Sequence, residues 1–138
     1  MSALYTPEML ALSTRLSSYP WSADLARQAE ARSDICGSAI SIGLDLDENG
    51  RVSKIGLKVS ACAVGQSSAA ILADAVQGAS PGELAATLHE LRLWLANEGD
   101  LPAWPRLDVI KGARPHAGRH GALLLPWEAA LKALSSVQ

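Results

Sequence analysis

Apolar and polar residues alternate strictly at Ile40, Ile42, Leu44 and Leu46 against Ser41, Gly43, Asp45 and Asp47, and again at Ile55, Leu57 and Val59 against Lys54, Gly56 and Lys58. A period of two puts all the apolar residues on one face of a strand, so the two runs predict a β-hairpin with one buried and one wet face. The residues between them, Glu48-Asn49-Gly50-Arg51, predict closure by an Asn-Gly turn. The period then changes. From Cys62 to Val76 the chain is rich in Ala and Ser with Ile71, Leu72 and Val76 at helical spacing, and Gly78 supplies a stop. Ser80-Pro81-Gly82-Glu83 is a capping box with proline at the first helical position, and Leu84, Leu88, Leu91 and Leu95 form a stripe that ends before Gly99. Thr6-Pro7-Glu8 opens an earlier helix with Met9, Leu12 and Leu16 on one face. Between Trp21 and Ser33 the Ala-Arg-Glu mixture reads as helix by propensity alone. Leu101 to Gly118 carries Pro102, Pro105 and Pro115 and reads as an irregular connection with at most a short helix. A last helix begins near Arg119, with Leu124, Trp127, Leu131 and Leu134 as its stripe and a bend at Pro126, which has no N–H for the carbonyl of Ala122.

Composition narrows this picture. A chain of 138 residues with 49% hydrophobic and 19% charged residues has the size and apolar content of one folded domain spanning residues 1–138. Four Trp, two Tyr and no Phe leave the core to Ala, Leu, Ile and Val, which suits helix-rich packing. A net charge of -2 shows no electrostatic footprint for nucleic acid or anionic lipid. The N-terminal residues lack the basic region of a signal peptide and no apolar run is long enough to span a bilayer, so no membrane partner and a cytoplasmic location are expected. In that compartment Cys36 and Cys62 stay reduced, and a metal, sulfur-chemical or buried structural role is favoured over a disulfide.

The hairpin relates the two cysteines. Residues near 38 pair with residues near 60, so Cys36, just before the first strand, and Cys62, just after the second, are expected at the same end of the sheet and within reach of one ion. The start of a helix favours negative charge on a sulfur there, which makes Cys62 the better nucleophile. Alone, either cysteine reads more naturally as a small buried hydrophobe, and their convergence is what shifts the balance.

Ile35-Cys36-Gly37-Ser38-Ala39-Ile40, the strand end Gly56-Leu57-Lys58-Val59-Ser60, and Ala61-Cys62-Ala63-Val64-Gly65-Gln66-Ser67-Ser68 together resemble the NifU N-terminal family, the IscU- and SufU-type scaffolds of iron–sulfur cluster assembly. Arg119-His120-Gly121-Ala122-Leu123-Leu124-Leu125-Pro126-Trp127 is similar to that family's Arg-x-x-Cys-Ala-x-Leu segment, and the likeness runs over roughly residues 5 to 136. The resemblance implies an α+β fold, a three-stranded antiparallel sheet with helices packed mainly on one face. About Arg27 to Asp34 then becomes the first strand, against the helical propensity noted above. It also implies a scaffold or sulfur acceptor rather than an enzyme, carrying iron or a [2Fe–2S] cluster, with a cysteine desulfurase and apo-protein cluster recipients as partners.

Carried over residue by residue, the resemblance makes Cys36 and Cys62 the first two ligands and departs elsewhere: Ser38 stands where the family has an aspartate, and Ala122 where it has a third cysteine. A [2Fe–2S] cluster and a structural zinc both call for four good ligands. His120 is the candidate third ligand, with Ser38 as a weak contact and His116 as a second candidate; a solvent-facing His120 beside Arg119 is equally consistent with the sequence. Arg119 at the start of the last helix would favour negative charge on nearby thiols, or form a plain surface salt bridge. His89 falls on the wet side of the Leu84/Leu88 helix, and Trp94, Trp104 and Trp127 read as packing. Symmetry offers another route to four ligands, a homodimer in which each chain gives Cys36 and Cys62 to one cluster. Two readings remain from different classes: a divergent scaffold or sulfur acceptor, and a degenerate relative that binds zinc or acts as an interaction partner of the desulfurase machinery. A thiol enzyme pairing Cys62 with His120 ranks below both, because no orienting acid or oxyanion motif accompanies the pair.

Overall fold

Three strands, β1 (Arg27–Arg32), β2 (Ala39–Leu46) and β3 (Val52–Ser60), form an antiparallel sheet in the order β1-β2-β3 in the computed structural model, which describes residues 5–33 and 37–135. Ile40 faces Val59, Ile42 faces Leu57 and Leu44 faces Ile55 in register, so the alternation does place one apolar face toward the helices. The helical propensity of residues 21–33 is overridden. In β1 the small Ala29 and Ala31 turn inward while Gln28, Glu30 and Arg32 turn out, and that side-chain fit decides the strand. The strand expected from the resemblance ends at Arg32, and Asp34 lies outside the described residues. At the free edge of β1 the Nζ of Lys132 donates to the Glu30 carbonyl at 2.8 Å, which caps one backbone acceptor there.

The β2–β3 turn differs from the two-residue Asn-Gly form. Only Gly50 has a positive φ, +78°, while Gly50 N–H bonds the Asp47 carbonyl at 3.0 Å and the Asp47 side chain accepts from the N–H groups of Asn49 and Arg51. The Asp47 carboxylate thus selects a longer turn with Glu48 and Asn49 at its centre. The extra residue is absorbed by a register shift between Asp45 and Leu46.

Among the described residues the α-helices are α1 (Pro7–Thr14), α2 (Ala63–Ala75), α3 (Pro81–Leu95) and α4 (His120–Ser135). Thr6 caps α1, and the reciprocal Ser80–Glu83 capping box opens α3 as its sequence predicts. The end of α3 comes earlier than Gly99: Asn97 adopts φ +61°, and the N–H groups of Asn97 and Glu98 return to the carbonyls of Trp94 and Leu93, a Schellman closure. Residues 107–113 form a 3₁₀ segment longer than the short helix expected, with Leu107, Ile110 and Ala113 buried at its three-residue period.

Helix α4 packs on β1 and β2 and is flanked by α2 and α3. Being enclosed, it buries Ala122, Leu123, Leu125, Ala129, Ala130 and Ala133 as well as Trp127 and Leu134, whereas Leu124 and Leu131 of the expected stripe are only half-buried. At Pro126 the helix is supported from α2, where the Ser68 hydroxyl donates to the Leu123 carbonyl at 2.6 Å and accepts from the Trp127 indole N–H at 3.0 Å. No helix among the described residues is long and apolar enough to cross a membrane.

Candidate functional site

The antiparallel register that aligns Ala39 with Ser60 brings three parts of the chain to one end of the sheet. The first is the turn from β1 to β2. Ser33 N–H donates to the Ser38 carbonyl at 2.9 Å, and Gly37 N–H to the Ser33 carbonyl at 3.0 Å, with Gly37 at φ +70°. Cys36 belongs to this connection but lies outside the described residues. Ser38, only 3% exposed, is buried rather than presented to solvent.

The second part is the start of α2. Cys62 is the N-cap residue in extended conformation, half-buried, with its carbonyl taken by Gln66 N–H at 2.9 Å. Its placement two residues beyond Ser60 follows from β3 running out, and its thiol lies at the end of α2 where free N–H groups collect.

The third part is the start of α4. A Cβ on Gly121 would lie 2.6 Å from the Ser33 Oγ and 3.6 Å from its Cβ, so α4 meets the β1–β2 turn closely here and a larger residue would have to turn the Ser33 hydroxyl aside. A Cβ on Gly65 would stand 2.7 Å from the Ala61 Cβ and 3.3 Å from the Ala122 Cβ, so Ala122 packs against the first turn of α2, beside Ala61 and Cys62 in the chain. Ala122 is 1% exposed, and the Cβ that makes this contact is its whole side chain.

His120 is half-buried, and its Nε2 is 2.7 Å from the Arg114 carbonyl. A carbonyl only accepts, so Nε2 carries a proton and donates this bond, and Nδ1 is the ring nitrogen left to meet another partner. This is the arrangement in which a second hydrogen bond fixes the tautomer of a ligating histidine. The Arg114 guanidinium rests 5.8 Å from the Trp94 ring centre, which anchors the carbonyl's loop to α3. Arg119 is half-buried next to His120, while His116 and His89 are exposed. Among the described residues no three of His, Cys, Asp and Glu gather into a metal-binding group; Cys36 is not among them. Trp94 and Trp127 are buried, and Trp104 meets Trp127 edge to face at 4.9 Å, so these rings pack.

Two features were beyond sequence reasoning. The Arg114 carbonyl has no side-chain signature, and the glycine contacts at 65 and 121 depend on where α4 docks. The small-residue run Ala61–Ala70 was their only hint.

No protein-family model and no curated protein sequence matches the chain. Solved structures do. The N-terminal part of a nitrogen-fixing NifU-like protein from Brucella abortus superposes with TM-score 0.88 at 25% identity, covering 96% of this chain and 93% of that one. A protein described as an iron–sulfur cluster assembly scaffold for the SUF system, from thermophilic Fervidobacterium islandicum AW-1, has the same fold with TM-score 0.82 at 15% identity, over 95% and 96% of the two chains. A hypothetical protein shares the fold at TM-score 0.70 and 20% identity, over 93% and 97%. The last two relations are relations of fold.

Proposed function

We propose that this chain, NifU- and SufU-like in its structure, serves iron–sulfur cluster assembly as a scaffold or sulfur acceptor working through Cys36 and Cys62. The observation that supports this most is the packing of the β1–β2 turn, the start of α2 and the start of α4 on one another at Gly121 and Gly65, at the end of the sheet where Ala39 pairs with Ser60. The Brucella protein is NifU-like and the Fervidobacterium protein is described as a cluster scaffold, which is consistent with the same class of work.

The donor set shapes the mechanism. Two thiolates and the Nδ1 of His120 suit a soft or borderline metal, yet a [2Fe–2S] unit needs four ligands. One chain is therefore short of a full set, and a cluster is held as cargo only with help from a partner or a second copy. Sulfur acceptance has no such shortfall. The Cys62 thiolate attacks the outer sulfur of a donor protein's persulfide, the donor S–S bond breaks, the donor thiolate leaves, and Cys62 becomes the persulfide, with charge and sulfur conserved. A cysteine desulfurase and apo-protein recipients are the partners this reading calls for.

Anaerobic reconstitution with ferrous iron and sulfide tests the proposal on the wild type, Cys36→Ala and Cys62→Ala. Iron together with acid-labile sulfide on the wild type, lost in both variants, is the expected result. Zinc alone points to the second reading, a zinc-binding or interaction relative, which the replacement of the third thiol by the sealed Ala122 methyl favours. No metal in any preparation and no persulfide on Cys62 after incubation with a persulfide donor overturns the first reading.

A further inference from the structure

We infer that the cavity at the opposite end of the sheet is a binding site for a small organic anion with a flat apolar body. The cavity, about 370 Å³, lies between the strap Ser18–Ser22, the start of β3 and the end of α2. That volume falls at the lower end of small-ligand sites. Its apolar lining is Val52, Ile55, Ala73 and Val76, and its aromatic lining is Tyr19 and Trp21.

The strap is held in place independently of any ligand. Leu57 N–H donates to the Tyr19 carbonyl at 2.8 Å, and a Cβ on Gly56 would lie 2.5 Å from the Pro20 carbonyl, so β3 admits the strap only because residue 56 is glycine. The Tyr19 hydroxyl bonds the Asp74 carboxylate, which Arg15 Nε also holds at 2.7 Å. The backbone of the strap and the Tyr19 ring are thus fixed before anything binds, which lowers the ordering cost of a ligand.

Trp21 is the second observation. It is 38% exposed, one of three large apolar side chains left in solvent among the described residues, and it lines the mouth of this cavity. An indole exposed beside an apolar-floored cavity offers a stacking surface that folding has not used.

Charge selects the sign of the ligand. The one carboxylate in the lining, Asp74, is already engaged by Arg15 and Tyr19 and feels the further positive charge of Arg106. Lys54, the one cation in the lining, forms no ion pair among the described residues. Asp45 is its cross-strand neighbour in register, but Asp45 Oδ1 accepts the Ala26 N–H at 2.8 Å. A carboxylate or sulfonate on an aromatic body therefore finds an ammonium that no carboxylate of the described residues holds at ion-pair distance, whereas a cation finds in the lining only a carboxylate already held by Arg15.

Three probes of one shape test this on the full chain: 2-naphthoate, 2-naphthamide and 2-naphthylmethylammonium, titrated by nuclear magnetic resonance at low salt. The expected result is shifts at Trp21, Lys54 and Gln77, with naphthoate bound about fivefold tighter than the amide, the order of effect of one partly exposed ion pair. Lys54→Gln, a surface change outside the fold's core, erases that preference while leaving the amide's affinity, and Trp21→Ser weakens all three. Equal binding of the three probes, tighter binding of the ammonium, or shifts confined to other surfaces overturns the proposal. None of these outcomes bears on iron or sulfide binding at the cysteine end.

Discussion

At Ser68 one hydroxyl serves two buried groups, the Leu123 carbonyl next to the proline-broken turn of α4 and the Trp127 indole N–H. Ser68→Ala leaves both without their partner in a site that is 0% exposed, and an unsatisfied buried polar group costs about 1–3 kcal/mol. Urea unfolding followed by tryptophan emission is expected to show that loss with a shifted folded-state spectrum; unchanged stability would mean that the two helices repack freely. The glycines make a sharper contrast. At Gly56 an added methyl meets the Pro20 backbone carbonyl at 2.5 Å, which has no rotamer to escape into, so Gly56→Ala should cost about 1–3 kcal/mol. At Gly118 nothing lies within 4 Å and φ is not positive, so Gly118→Ala should be neutral or gain about 0.4–1 kcal/mol by restricting the unfolded chain. If the two substitutions prove equally costly, the strap is not held as closely to β3 as its geometry states.

Among the elements, the join of α1, the strap and α2 rests on Asp74. Burial pushes its carboxyl up, but the hydrogen bonds from Arg15 and Tyr19 outweigh that and hold it below the ordinary 3.8. Burial first, and then the bond to Asp74, keep the Tyr19 hydroxyl protonated beyond its ordinary 10.0, so at neutral pH it remains a donor. A depressed carboxyl stabilises the fold above its unfolded value and loses that contribution as pH falls through the folded one. The stability gap between wild type and Asp74→Asn is therefore expected to be full at pH 7 and to shrink below about pH 4; a gap that widens with acid would reverse the assignment. The elements themselves were unequally legible. Alternation at Ile40–Leu46 and Ile55–Val59 reports burial directly, and the Ser80–Glu83 box is a local hydrogen-bond cycle, so both are written in short stretches of chain. In β1 the inward residues are alanines, which carry no strand signal of their own, and only the edge beside β2 makes them a strand. Asn49-Gly50 misled because Asp47 competes for the same turn.

For the whole molecule, the candidate site is legible to the extent that a hairpin carries its two flanks to one end; Cys62 could be placed by counting from Ser60. The docking of α4 was not, since Gly121 against Ser33 and Ala122 against Gly65 are contacts between distant parts of the chain that no local pattern encodes. That docking carries a consequence for assembly. On the proposed reading, with a methyl at Ala122, one 14.5 kDa chain would offer the two cysteines of its sequence, and two chains related by a twofold axis would offer the four sulfurs that a [2Fe–2S] unit requires. A cluster-bearing species should then elute at twice the chain mass with about one iron per chain, while the metal-free protein elutes at its own mass. Ala122→Cys adds a third thiol at the start of α4, where the extra sulfur must find room beyond the buried Cβ, and is expected to move iron toward the single-chain species. Sizing with iron detection separates the cases. Iron confined to the wild-type monomer would show that His120 and solvent complete the set within one chain, and an Ala122→Cys variant that still loads only as a dimer would show that the start of α4 does not face the metal.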